Sequence, residues 1–207
     1  NLMPFYTDAL PPSDPRKVYF GKAHKAYNEE LHDTLPAVYI VRDPVDIVPS
    51  AANFFGVTLD RMSKEVAKDW PRHIQSWWGH IGLVLKYENM PGNFHILCQH
   101  FKALPDDFER VITAAAHSDF KKLRADEAEH GFAEASEKGG AFFRYGFPGQ
   151  GREVMTDAQV QRVIHGAGEV YPALGYPEKP VYVRETYEVP GSADTFDGVL
   201  EKSMRKM

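Results

Sequence analysis

The stretch Tyr39-Ile40-Val41-Arg42-Asp43-Pro44-Val45-Asp46-Ile47-Val48-Pro49-Ser50 holds the side chains best spaced for chemistry. An apolar run ends on an arginine, and a helix-starting pair, Asp43-Pro44, follows at once. A helix start offers unpaired N–H groups and a partial positive charge. Arginine adds a planar fork that matches phosphate oxygens. Ser50 lies further along the same helix and supplies one more hydroxyl donor. Two readings are open: a phosphate site built on Arg42 and Ser50, or an arginine ion-paired with Asp43 or Asp46.

The elements that must position these groups are partly legible. Ala37-Val38-Tyr39-Ile40-Val41 is a continuous, β-branched apolar run, as expected of a central parallel strand covered on both faces. Asp43 suits a helix cap and Pro44 the first helical position, with the helix running to about Phe55. Pro49 predicts a kink. From Leu59 to Trp78, Met62, Val66, Trp70, Ile74 and Trp77 recur at helical spacing. Pro71 predicts a division there into two helices, with Asp69 as cap. Gly82–Tyr87 holds a second strand, Leu83-Val84-Leu85, and Lys17–Gly21 a third. Asn93–Ala103 and Asp106–Ala116 read as helices. Glu134–Gln150 reads as a glycine-rich loop. Thr156-Asp157-Ala158-Gln159 fits a capping box, with one helix expected up to Gly175 and Pro177. Residues 1–16, with four prolines, read as a loop or lid, and residues 177–207 as an arm. Alternating strands and helices predict an α/β fold with a central parallel sheet flanked by helices. Ligands in such folds bind beyond the carboxyl ends of the strands, at Arg42 and at Tyr87.

The chain has 207 residues, net charge −5, 43% hydrophobic residues and one cysteine. That length suits a single domain able to bury about 70% of its unfolded surface. One cysteine excludes an internal disulfide and a cysteine-based zinc site. No apolar run is long enough to span a bilayer, and no signal peptide is visible, so a cytoplasmic location is expected. The acidic balance argues against a nucleic-acid partner, although a local basic pocket can still hold one small anion.

Several stretches, in order, resemble the sulfotransferase superfamily, the enzymes that use 3′-phosphoadenylyl sulfate (PAPS). Arg42, Asp46 and Ser50 match its 3′-phosphate segment, a strand followed by Arg with Ser eight residues on. The resemblance implies that Arg42 and Ser50 hold the 3′-phosphate. Lys22-Ala23-His24 is similar to the family's Lys-Thr-His segment. It implies His24 as general base and Lys22 as the cation that stabilises the sulfuryl group in flight. Asp69–Trp78, with His73 and Trp77, resembles the helix beneath the cofactor. Tyr87-Glu88-Asn89-Met90 resembles the Tyr-Glu-Asp-Met strand end, with Tyr87 at the adenine. Ser118 and Phe120, in His117–Leu123, match an adenine pocket, Phe120 stacking on the base. Phe142–Gly151 resembles the Arg-Lys-Gly loop, with Arg144, Tyr145 and Gly146 at the 3′-phosphate. Tyr145 replaces the usual Lys, and Arg152 is a candidate to supply the lost charge.

The resemblance covers about Arg16 to Tyr176 and implies the P-loop-NTPase-like sulfotransferase fold. It lacks the family's first motif, the Lys-Ser/Ala-Gly-Thr-type loop for the 5′-phosphosulfate. The expectation is that an N-terminal βα unit is missing from these 207 residues. The implied activity is sulfuryl transfer from PAPS to a hydroxyl or amine of a small-molecule acceptor, leaving PAP. Phe5, Tyr6, Tyr27, Phe54, Phe55 and Phe147 are candidates for the acceptor pocket. The alternative is a non-catalytic module that binds PAP or a partner. A small-molecule kinase shares the fold type, but the chain has no Walker loop. The arm is a candidate for packing on a second copy as a homodimer.

Overall fold

A computed structural model of the chain describes residues 3–6, 19–29, 37–90, 119–132, 140–144 and 146–177, with scattered positions between 96 and 116. The fold is mixed α/β and mostly helical. The strands are β1 (Met3–Tyr6), β2 (Tyr19–Lys22), β3 (Val38–Val41) and β4 (Leu83–Lys86). The main helices are α1 (Pro44–Phe55), α2 (Leu59–Trp77), α3 (Phe120–His130), α4 (Gln150–Val154), α5 (Asp157–Ala167) and α6 (Val170–Ala173).

Where one central sheet was expected, the described residues form two parallel pairs, β1 with β2 and β3 with β4. Val41 and Leu85 are buried, but Ile40 and Val84 are 52% and 38% exposed. Described residues therefore do not cover both faces of the β3–β4 pair. The register sets Val41 beside Lys86, so Arg42 and Tyr87 follow at the same end of neighbouring strands. β1 falls in the segment read as loop. Among the described residues β1 pairs with β2 alone, and proline is found in strands mainly where one edge is unpaired.

Asp43 caps α1 by accepting from the Val45 N–H at 2.9 Å, with Pro44 in the first turn. Gly56, at φ 63°, closes it in the left-handed conformation that glycine adopts without strain. α2 is one helix through Pro71, not two, and its cap is Thr58 rather than Asp69. α5 has the expected capping box of Thr156 and Gln159. It ends earlier than expected, at Gly168, and α6 follows as a separate short turn. Described positions in the two expected helices between 93 and 116 are helical.

Both internal prolines share one device. Proline removes the N–H that the carbonyl four residues back would receive, and its ring crowds that carbonyl. For Pro49 that carbonyl is Val45, and Gly151 of α4 packs on it, where a Cβ would collide. For Pro71 it is Ala67. Gly166 of α5 packs there, and a Cβ would lie 2.6 Å from the Ala67 oxygen. In each case a partner glycine packs on the carbonyl that the proline leaves without its helical N–H, and the helix continues.

The core has two clusters. Val45, Val48, Ala52, Met62, Val66, Met155, Val160 and Val163 join α1, α2 and α5. Val41, Ile74, Ala167, Tyr171 and Tyr176 join the end of β3 to α2 and the last helices. Trp70 and Ile164 pack against both. Each fully buried aliphatic side chain contributes about 1.5–3 kcal/mol.

Candidate functional site

The site is built outward from the start of α1. Arg42 leaves β3 half-buried, with its guanidinium 4.5 Å from the centre of the Tyr87 ring. The Arg42 carbonyl accepts from Trp70 Nε1 at 3.2 Å, which ties the strand end to α2. The turn Tyr87–Asn89 serves the same corner twice. Tyr87 faces Arg42, and Glu88 Oε1 accepts from the Asp43 N–H at 2.7 Å. Glu88 Oε2 accepts from the Tyr176 hydroxyl at 3.1 Å.

Asp46 is buried and clasps the glycine loop. Its two carboxylate oxygens accept from Gly149 N–H at 2.6 Å and Gly151 N–H at 2.8 Å. Burial pushes its carboxyl above the ordinary value. The two N–H donors and the Arg42 charge pull the other way, less strongly. The Arg42 charge acts on Asp46 only through space, and among the described residues Arg42 forms no ion pair with Asp43 or Asp46.

One turn beyond Asp46, Ser50 is exposed and lines a small cavity with Asn53, Phe54, Gly140, Phe142 and Arg144. Arg144 Nη2 donates to the Pro49 carbonyl at 2.7 Å, which holds the guanidinium against α1. Asn53 Oδ1 accepts from the Gly140 N–H at 3.3 Å. The Glu127 carboxylate of α3 accepts from the N–H groups of Phe142 and Phe143, and Arg124 donates to the Arg144 carbonyl. The Arg144 loop is therefore fixed from both sides. The Ser50 hydroxyl, the Asn53 amide and the Arg144 guanidinium line a cavity of about 20 Å³, room for about one water-sized group.

Phe120 opens α3, capped by Asp119, which accepts from Lys121 and Lys122. Gly146, at φ 70°, lies where a Cβ would fall on the Phe120 ring. Ser118 and Tyr145 lie outside the described residues. Arg152 does not join Arg144. Its Nη2 donates to the Tyr171 hydroxyl at 3.3 Å, and that hydroxyl also lies 3.3 Å from Asp43 Oδ2.

Lys22 ends β2, and His24 follows two residues on; both are exposed. The chain beyond them is tied to α2. The Lys25 carbonyl accepts from Trp77 Nε1 at 3.1 Å, and the Tyr27 N–H donates to Ser76 Oγ at 3.1 Å. The acceptor candidates divide. Phe54 and Phe55 meet edge to face at 5.0 Å, and Phe142 lies 6.4 Å from Phe54. Tyr27 stacks on His80 at 3.7 Å. Phe5 and Tyr6 lie on β1.

The structure thus brings together Ser50 with Arg144, Arg42 with Tyr87, and Phe120 with Gly146. Sequence reasoning missed Asn53, although its position three residues after Ser50 places it on the same helix face. It also missed the Asp46 clasp, for which the chain carries no local signal. Among the described residues, no group of three or more His, Cys, Asp or Glu side chains could hold a metal ion. No helix among them is long and apolar enough to cross a membrane. No protein-family model matches this chain, and no curated protein sequence matches it.

Proposed function

We propose that the chain is a sulfotransferase domain of P-loop-NTPase-like fold, transferring a sulfuryl group from PAPS to a hydroxyl or amine of a small molecule. The observation that carries the reading is the cavity where Ser50 of α1 meets Arg144 of the glycine loop. The two were matched to one phosphate on separate motifs. Arg42 and Tyr87, side by side at the ends of β3 and β4, support it, as does Phe120 against Gly146.

Each residue then has a task. Arg144, Ser50 and Arg42 hold the 3′-phosphate dianion. Tyr87 and Phe120 flank the adenine end. His24 removes the acceptor's proton as the acceptor oxygen or nitrogen bonds to sulfur and the sulfur–oxygen bond to PAP breaks. Lys22 stabilises the negative charge on the oxygens in transit.

Calorimetric titration of PAP into the full-length gene product tests the reading. Removing one charge-assisted contact costs about 1.5–3 kcal/mol. Arg144→Ala should therefore weaken PAP about 10- to 100-fold, and Ser50→Ala less. His24→Ala should abolish transfer from PAPS and leave PAP affinity within about twofold. Absence of PAP binding would overturn the proposal. Binding without transfer to any hydroxyl or amine would point to a non-catalytic PAP module, and transfer from ATP to a kinase.

A further inference from the structure

His73 of α2 sits between two elements. Its Nδ1 lies 2.7 Å from the Tyr39 hydroxyl on β3, and its Nε2 lies 2.9 Å from the Lys25 carbonyl oxygen. A carbonyl only accepts, so Nε2 must carry the proton. A neutral imidazole then has a lone pair on Nδ1, and Tyr39 donates to it. Burial pushes the Tyr39 hydroxyl up to about 12, so it stays a donor at any working pH. Burial also lowers the His73 pKa, which favours the neutral ring this pattern needs.

The anchors on the segment after His24 come from one face of α2. His73, Ser76 and Trp77 stand at i, i+3 and i+4. His73 and Trp77 both donate to the Lys25 carbonyl, filling its two lone pairs, while Ser76 accepts from Tyr27. The His24 backbone and ring also lie close enough to act on the His73 ring. The chain leaving the base is thus pinned within one residue of it.

We infer that His73 is a positioning residue for His24: as an Nε2–H tautomer fixed by Tyr39, it holds the Lys25 carbonyl and so sets where the His24 ring stands. The inference rests on the proposed role of His24 as base. It adds a relay, Tyr39 to His73 to Lys25, that links β3 to the reacting end of β2. A base misplaced by about 1 Å can lose about 100-fold in rate with binding intact.

Three variants in the full-length protein separate the contacts. His73→Leu removes both, His73→Gln keeps a donor for Lys25, and His73→Asn keeps an acceptor for Tyr39. His73→Leu should lower kcat about 10- to 100-fold, with PAP affinity within about twofold. His73→Gln should recover kcat to within about threefold of wild type, and His73→Asn should not. Amide exchange at residues 24–27 should rise in His73→Leu and return in His73→Gln. Long-range 1H–15N spectra of the wild type should report the Nε2–H tautomer. An Nδ1–H tautomer, a wild-type kcat in His73→Leu, or unchanged exchange at residues 24–27 would each overturn the inference. If the wild type transfers nothing from PAPS, the functional reading fails, while the exchange and tautomer measurements still decide the anchor.

Discussion

Asp46 shows how one carboxylate serves fold and site together. It lies inside α1, one turn before Ser50, and both its oxygens are used by the glycine loop. Its carboxyl is raised mainly by burial. An acid with a raised folded pKa binds its proton more tightly when folded. Its stabilising contribution is therefore complete below the unfolded value of 3.8 and is lost as pH rises through the folded value. Asp46→Asn removes this dependence and also turns one acceptor into a donor facing an N–H. Chemical denaturation should find the variant less stable at neutral pH, by about 1–3 kcal/mol. The gap should be larger at pH 3 than at pH 7, because the Asp46 contribution is lost over that interval from the wild type alone. A gap that is constant or widens with pH would refute this account. Asp46 was legible as part of a spacing, but its partners were not, since Gly149 and Gly151 reach it only through tertiary folding.

At the scale of elements, local signals read best where they are self-contained. The Asp43-Pro44 start and the Thr156–Gln159 capping box need only neighbours in sequence, and both formed as read. The strand pair β3–β4 followed from composition, and its register delivered Arg42 to Tyr87. The errors have separate causes. Pro71 breaks a helix in isolation, but here Gly166 of α5 accepts the carbonyl it releases. Gly168 ends α5 although the apolar side continues into α6. Proline in β1 argued for a loop, yet the described residues pair that segment with β2. The Gly166 packing predicts that Gly166→Ala destabilises by about 1–3 kcal/mol, despite the better helix propensity of alanine. Thermal unfolding measures this; a variant as stable as wild type would mean that α5 can move away from Ala67.

At the scale of the molecule, two core clusters meet on Trp70 and Ile164. Trp70 also donates to the Arg42 carbonyl, so one of the two residues that join the clusters holds this corner. Trp70→Ala should cost about 3–5 kcal/mol and uncouple the clusters. Denaturant titration followed at Tyr171 and at Val48 by NMR should then give two midpoints in place of one. The helical stripe containing Trp70 was readable from the sequence. That it touches two cores was not, because both depend on which helices arrive from residues 150–176.

The paired proline and glycine positions have a further consequence. A carbonyl raised from one helix and a single glycine opposite it act as a notch and a key. Sliding α4 or α5 by one residue would bring a side chain onto the key, so each docking has one index. For α4 that index also fixes which two amides meet Asp46, and hence where the loop bearing Arg144 must come to rest. The position of the Arg144 side chain beside Ser50 is in this sense inherited from the backbone of α1 and needs no contact with a ligand to be set.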